Sequence, residues 1–144
     1  MTARADTGRH RAREVLFRLA YQCDLTQDGI VAAWAARRDE VHLADDAQQL
    51  VEDVVRVLAR EAVAVDAELR EAAEHWPVER LAVTDRAVLR AAVAELLGRP
   101  GTPARVVLDE AIEIAKRYGS EASGAFVNGV LDKVARRLRP GEFA

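Results

Sequence analysis

Cysteine is almost missing from this chain, with Cys23 standing alone among 144 residues. No internal disulfide can form, and no cysteine-based metal site can be assembled. No base stands beside Cys23 in the sequence, so a small apolar packing role on a helix is expected for it. The three histidines, His10, His42 and His75, lack ligand spacing, and neither a metal nor another cofactor is expected. Aromatic residues make up only 5% of the chain, and the alternating Val-Thr-Tyr pattern of strands is absent. No apolar run approaches the roughly 20 residues that cross a bilayer, and the N-terminus lacks the apolar core of a signal peptide. A protein of the cytoplasm, with no membrane partner, is expected.

What is abundant is helix-forming: Ala, Leu, Val, Arg and Glu dominate, with 50% hydrophobic and 31% charged residues. That balance excludes disorder as the main state and predicts one all-α domain with a single core. The net charge of −3 argues against nucleic-acid binding only until its distribution is read. Arg4, Arg9, Arg11, Arg13 and Arg18 crowd the first 18 residues with His10, against Asp6 and Glu14. Residues 39–74 hold eleven acids and three arginines, and Lys133, Arg136, Arg137 and Arg139 restore a positive cluster. Basic ends around an acidic middle allow a local patch that attracts phosphate.

Residues 1–8 carry no periodic pattern and read as a flexible basic arm. Val15, Leu16, Leu19, Ala20 and Cys23 then mark a first helix, whose opening turn holds cations where the helix dipole favours anions. Such a local conflict often marks function, although a solvated basic end has the same composition. A turn follows at residues 24–29, then a short helix with Trp34 buried. From Asp45 to His75 neither Pro nor Gly interrupts the apolar spacing, which predicts the longest helix, ended by Trp76-Pro77. Thr84 is placed to cap a helix reaching Gly98.

Beyond the breaker Gly98-Arg99-Pro100-Gly101, Thr102 fits an N-cap and Pro103 the first helical position. Val106, Val107, Ala111, Ile114 and Ala115 recur at helical spacing, Gly119 suits a left-handed helix end, and Ser120 or Ser123 caps the next helix. That last helix contains Asn128-Gly129. Gly costs about 1 kcal/mol in a helix interior, so close helix contact is expected there. The chain closes at Pro140-Gly141.

Three runs carry more than periodicity: R-H-R-A-R-E with Tyr21 seven residues after Glu14, W-P-V-E-R-L-A-V-T-D-R, and D-E-A-I-E-I-A-K-R-Y-G followed by F-V-N-G-V-L-D-K. Together they resemble the NusB family, bacterial RNA-binding factors of transcription antitermination, over nearly the full length. The resemblance implies a compact all-α domain of six to seven helices in two packed sub-bundles, spanning residues 9–139, with residues 140–144 a short tail. It implies an RNA path along Arg9, His10, Arg11 and Arg13, with Tyr118 and Phe126 stacking on bases. Spacing alone leaves both rings open to a core role. The implied partners are boxA-type single-stranded RNA and NusE, a small-subunit ribosomal protein, with Tyr21 and Asp85 on the protein contact.

The chain departs from the pattern at His10, where arginine or lysine is stronger, and at Ala122, where an aspartate is common. Gly124-Ala125 also place no polar side chain beside Phe126. A homodimer that occludes the RNA surface is the alternative reading. The glycine-rich cofactor loop of an RNA methyltransferase, an enzyme that carries a similar domain, is not found, so a non-enzymatic role is expected.

Overall fold

Helix α5, Val83–Gly98, is the element around which the others pack. Its residues Ala87, Val88, Leu89, Ala92, Val93, Ala94 and Leu96 are all buried. A helix apolar on nearly every side is stable only inside a protein, and its alanines let neighbours come close. The computed structural model describes residues 2–74 and 77–143, with side chains from residue 7 onward. Among these residues it contains seven α-helices, two single 3₁₀ turns and no strand. Helices α1 (Thr2–Thr26), α2 (Ile30–Arg37), α3 (Asp45–Arg60) and α4 (Ala62–Ala72) precede α5. Helices α6 (Ala104–Tyr118) and α7 (Glu121–Leu138) follow it.

Helices α1, α2 and α3 pack on one another, and α7 packs on both α4 and α6. Helix α5 touches α1 and α3 of the first group and α4, α6 and α7 of the second. The expected pair of sub-bundles is therefore joined through a shared central helix. Trp34 is buried as anticipated, and its ring N–H donates to Glu52 at 2.9 Å. No helix among the described residues is long and apolar enough to cross a membrane.

Several local expectations are corrected. The single long helix from Asp45 to His75 is broken at Glu61, which leaves helical geometry with φ −125° and ψ 30°. Its N–H still donates to Val57 and its C=O accepts from Val65, so one residue acts as both end and start. No Pro or Gly marks the break. It redirects Val65, Leu69 and Ala72 from the α3 direction onto α5 and α7, and that tertiary burial overrides the continuous local pattern. The longest helix is instead α1, which begins at Thr2 and carries the arm region as its first turns. The side chains of Arg4 and Asp6, together with His75 and Trp76, lie outside the described residues.

At the start of α6 the cap is not Thr102. Pro103 is the N-cap residue, and Glu142 from the far end of the chain accepts the Ala104 N–H at 2.8 Å. Arg139 holds that end in place, donating to the carbonyls of Thr102, Leu96 and Arg99 at 2.9, 2.9 and 3.1 Å and to Glu142 at 2.7 Å. The segment expected as a short tail thus forms a 3₁₀ turn, Pro140–Glu142, that locks the α5–α6 connection. Thr84 likewise gives way to Ala82 as the N-cap of α5. Ser120 does cap α7, accepting from the Ser123 N–H at 3.1 Å.

Gly119 has φ −116°, not the left-handed value expected. Glycine is needed there because a Cβ would lie 2.8 Å from the Ala115 carbonyl oxygen. The close helix contact expected at Gly129 is likewise found elsewhere. A Cβ at Gly129 would meet nothing within 4 Å, whereas one at Gly124 would strike the stem of Lys116 at 2.6 Å.

Candidate nucleic-acid interface

Helix α1 lies against α6, and at the outer edge of that contact rings and charges meet. Phe17 is buried, and its ring centroid is 4.8 Å from that of Tyr118 and 6.0 Å from that of Tyr21. Three rings from two helices therefore run side by side. Helical spacing explains the α1 pair, since Phe17 and Tyr21 are one turn apart.

Glu14 orders the polar edge of this row. One of its oxygens accepts from the Tyr118 hydroxyl at 2.8 Å and from Arg117 at 2.9 Å. Arg18, one turn further along α1, donates to the same Tyr118 oxygen at 3.1 Å. The guanidinium carbons of Arg18 and Arg117 stand 5.7 and 5.5 Å from the Tyr118 ring centre, within cation–π range. Phe17, Arg18, Tyr21, Thr84 and Tyr118 line an open hollow of about 360 Å³. Flat rings flanked by exposed cations can stack an unpaired base and neutralise its phosphate.

The first turns of α1 are arranged differently from the expectation. Arg13 is turned inward, only 7% exposed, with its guanidinium forked onto buried Glu95 of α5 through contacts of 2.8, 3.0 and 3.2 Å. It also reaches Glu110 at 3.5 Å. Expected on an RNA path, Arg13 instead satisfies the one buried carboxylate of the central helix, because neither charge is tolerable alone in the core. His10 Nδ1 donates to the Glu110 carboxylate at 2.6 Å, and the ring stands 3.6 Å from Glu14. The Glu110 hydrogen bond raises its pKa above 6.5 against the opposing effect of burial, with the charges of Glu110, Glu14 and Glu113 adding to the rise. Arg9 pairs with Asp46 at 3.5 Å, and Arg11 donates to the His42 carbonyl at 3.3 Å. Both remain substantially exposed on the side facing the α2–α3 connection.

Phe126 does not join the α1–α6 hollow. It packs partly buried against the core and lines a separate groove with Ala72, Ala73, Gly129 and Lys133. The start of α7 meets α4 there, which the sequence spacing did not reveal. Tyr21 is 37% exposed at the rim of the first hollow. Asp85 follows Thr84, which lines that hollow, and Asp85 Oδ1 is buried with no hydrogen-bond partner among the described residues. The neighbouring Arg86 is structural, donating to Asp24 of α1 and to the carbonyls of Val78, Glu79 and Leu81.

Sequence reasoning gave no role to Glu14, Arg18 or Arg117 as a unit. The one-turn spacing of Glu14 and Arg18 and the adjacency of Arg117 to Tyr118 were visible. Their meeting across more than a hundred residues was not.

A family model described as the NusB family matches residues 10–136. The chain belongs to the NusB family. It is 41% identical over 140 residues to the transcription antitermination protein NusB of Anaeromyxobacter dehalogenans strain 2CP-1, covering 97% of this chain and 96% of that one. Its fold is similar to a T. maritima NusB structure with a TM-score of 0.82 and 33% identity, over 94% of this chain and 96% of the other. It is also similar, with a TM-score of 0.75 and 26% identity, to a crystal structure of the antitermination factors NusB and NusE in complex with double-stranded RNA. That match covers 91% of this chain and 98% of its counterpart. Within this NusB-family fold the F-V-N-G-V-L-D-K run has a structural basis, since Val127, Val130 and Leu131 face the core while Asn128 and Gly129 remain exposed.

Proposed function

We propose that this chain is an RNA-binding transcription antitermination factor that works with a NusE-type ribosomal protein on boxA-type RNA. Its activity is binding, with no turnover. The observation that carries this reading is the Tyr118 ring, held by Glu14 and flanked by Arg18 and Arg117 beside Phe17 and Tyr21. The edge formed by Arg18, Tyr118 and Arg117 takes the RNA, with Arg9 and Arg11 extending the cationic path along α1. His10 and Arg13 support that path by fixing α1 to α6 and α5. The opposite rim, formed by Tyr21 and by Thr84 and Asp85 at the start of α5, faces the protein partner. Phe126 lies outside the RNA path proposed.

A single stacked base contributes about 1–3 kcal/mol, and each phosphate neutralised on a single strand adds roughly 0.7 to the salt slope. These local terms support binding despite the net charge of −3. The test is fluorescence anisotropy with a boxA oligonucleotide. Weaker binding by Tyr118→Ala and by the Arg18→Glu/Arg117→Glu pair, with helical content unchanged, is expected; parent-like affinity in both removes the assignment. Light scattering over a concentration series, with and without RNA, distinguishes this from a homodimer that hides the same face.

A further inference from the structure

We propose that His10, Glu110 and Glu113 form a site for one divalent transition-metal ion, bound by an imidazole and two carboxylates, that ties the first turns of α1 to α6. One ligand atom from each of these residues lies within 4.8 Å of the other two. Glu110 and Glu113 are three residues apart on one face of α6, and His10 arrives from α1 exactly one hundred positions earlier in the chain. Zinc-type ions take His nitrogen and carboxylate oxygen at about 2.0–2.2 Å, which places neighbouring ligand atoms roughly 3.4 Å apart.

The surroundings are those that a bound ion requires. His10 Nδ1 faces Glu110 at 2.6 Å, so an ion inserted there replaces that hydrogen bond. The other ring nitrogen, Nε2, stands 3.6 Å from Glu14, just beyond hydrogen-bond distance, so a small turn of either side chain would let Glu14 orient the ligating imidazole. The second oxygen of Glu110 is steadied by Arg13 at 3.5 Å. Three carboxylates, Glu14, Glu110 and Glu113, converge on one imidazole. Arg13 is forked mainly onto Glu95 and reaches Glu110 only at 3.5 Å, and Arg117 pairs with Glu14, so Glu113 is the carboxylate of the three for which no such arginine contact is seen among the described residues. Glu110 and Glu113 also line an open hollow of about 740 Å³ with Arg9, which leaves an approach from solvent and room for waters to complete the coordination shell. A borderline metal such as Zn²⁺ suits a mixed nitrogen and oxygen set, whereas Mg²⁺ prefers oxygen alone.

The metal proposal does not rest on the RNA reading, although His10 and Glu14 also help to hold α1 against α6. The experiment is calorimetric titration of Zn²⁺ into chelator-stripped full-length protein, with Co²⁺ absorption as a spectroscopic readout and Mg²⁺ as competitor. One equivalent of Zn²⁺ is expected to bind and to resist Mg²⁺. His10→Ala and Glu113→Gln should each weaken binding at least about tenfold, and Glu14→Gln by about tenfold through the imidazole, the range found for residues behind a metal ligand. Glu40→Gln, on an exposed connection, should bind as the parent does. Circular dichroism checks that each variant is folded. The proposal is overturned if Zn²⁺ does not bind, if Mg²⁺ displaces it equally, or if folded His10→Ala and Glu113→Gln variants retain parent affinity, which would place the ion elsewhere.

Discussion

The two basic ends of the chain look alike as sequence and behave differently as structure. At the C-terminal end every cation is engaged within the molecule. Arg139 holds three backbone carbonyls and Glu142, Arg137 binds Glu68, Arg136 binds Asp132 and covers the Phe143 ring, and Lys133 lies 4.0 Å from Glu74. At the α1–α6 face Arg117 is likewise paired, with Glu14 at 2.9 Å, whereas Arg18 forms no ion pair among the described residues and donates to the Tyr118 hydroxyl at the ring edge. The difference teaches that a charge count does not measure the charge offered to a ligand. What matters is whether a guanidinium's donors are aimed at the chain's own carbonyls and carboxylates or left along a ring edge.

The sharpest way to break this comparison is at Arg13, which belongs to the N-terminal arginine run yet behaves like the C-terminal ones. Arg13→Ala leaves Glu95 buried and unpaired, so urea unfolding should report a loss of about 3–5 kcal/mol. The double variant Arg13→Met/Glu95→Leu should return stability close to that of the parent. An Arg13→Ala protein of parent stability but poor RNA affinity would reverse the assignment.

Next in size is Arg139→Ala, expected to cost about 1.5–3 kcal/mol because its hydrogen bonds are charge-assisted and largely buried. RNA affinity should not change, and a marked drop in anisotropy titrations would show that the C-terminal cluster belongs to the interface after all. Tyr118→Ala should do the opposite, weakening RNA by about 5- to 150-fold, the equivalent of one stacked base, while thermal unfolding moves less than for Arg139→Ala. Arg18→Ala and Arg117→Ala should each lower the slope of log affinity against log salt by about 0.7, whereas Arg137→Ala should leave it alone.

The smallest effect is a pH dependence. The Ala104 backbone N–H, followed by Arg139, holds the Glu142 carboxyl below the ordinary glutamate value of 4.5. A depressed folded-state pKa stabilises the fold above 4.5, and that stabilisation fades as pH falls through the lower folded value. The melting-temperature difference between the parent and Glu142→Gln should therefore shrink on acidification below that point. A difference that stays constant with pH would mean that the carboxylate charge does not strengthen the clamp.

Much of the fold was legible because helices announce themselves locally. The apolar stripe of α6, the serine cap of α7 and the burial of Trp34 all follow from spacing and residue type, and the helix-forming composition excluded strands. The break at Glu61 carried no such signal, since only the need of Val65 and Leu69 to reach α5 and α7 produces it. Among the candidate site residues, Tyr118 and Tyr21 were placed on the α1–α6 face, while Phe126 went to the α4–α7 groove. Tyr118 and Phe126 are both partly buried beside an apolar stripe, so periodicity could not tell them apart.

By itself the sequence determined an all-α domain, its terminal hairpin and its family, because period, caps and short motifs are properties of neighbouring residues. Tertiary structure alone decided which arginines are buried, which carbonyls the chain's end would hold, and that His10 would meet Glu110 and Glu113. Those outcomes depend on ion pairing across roughly a hundred residues, where the desolvation of each charge selects its partner only after the helices have packed.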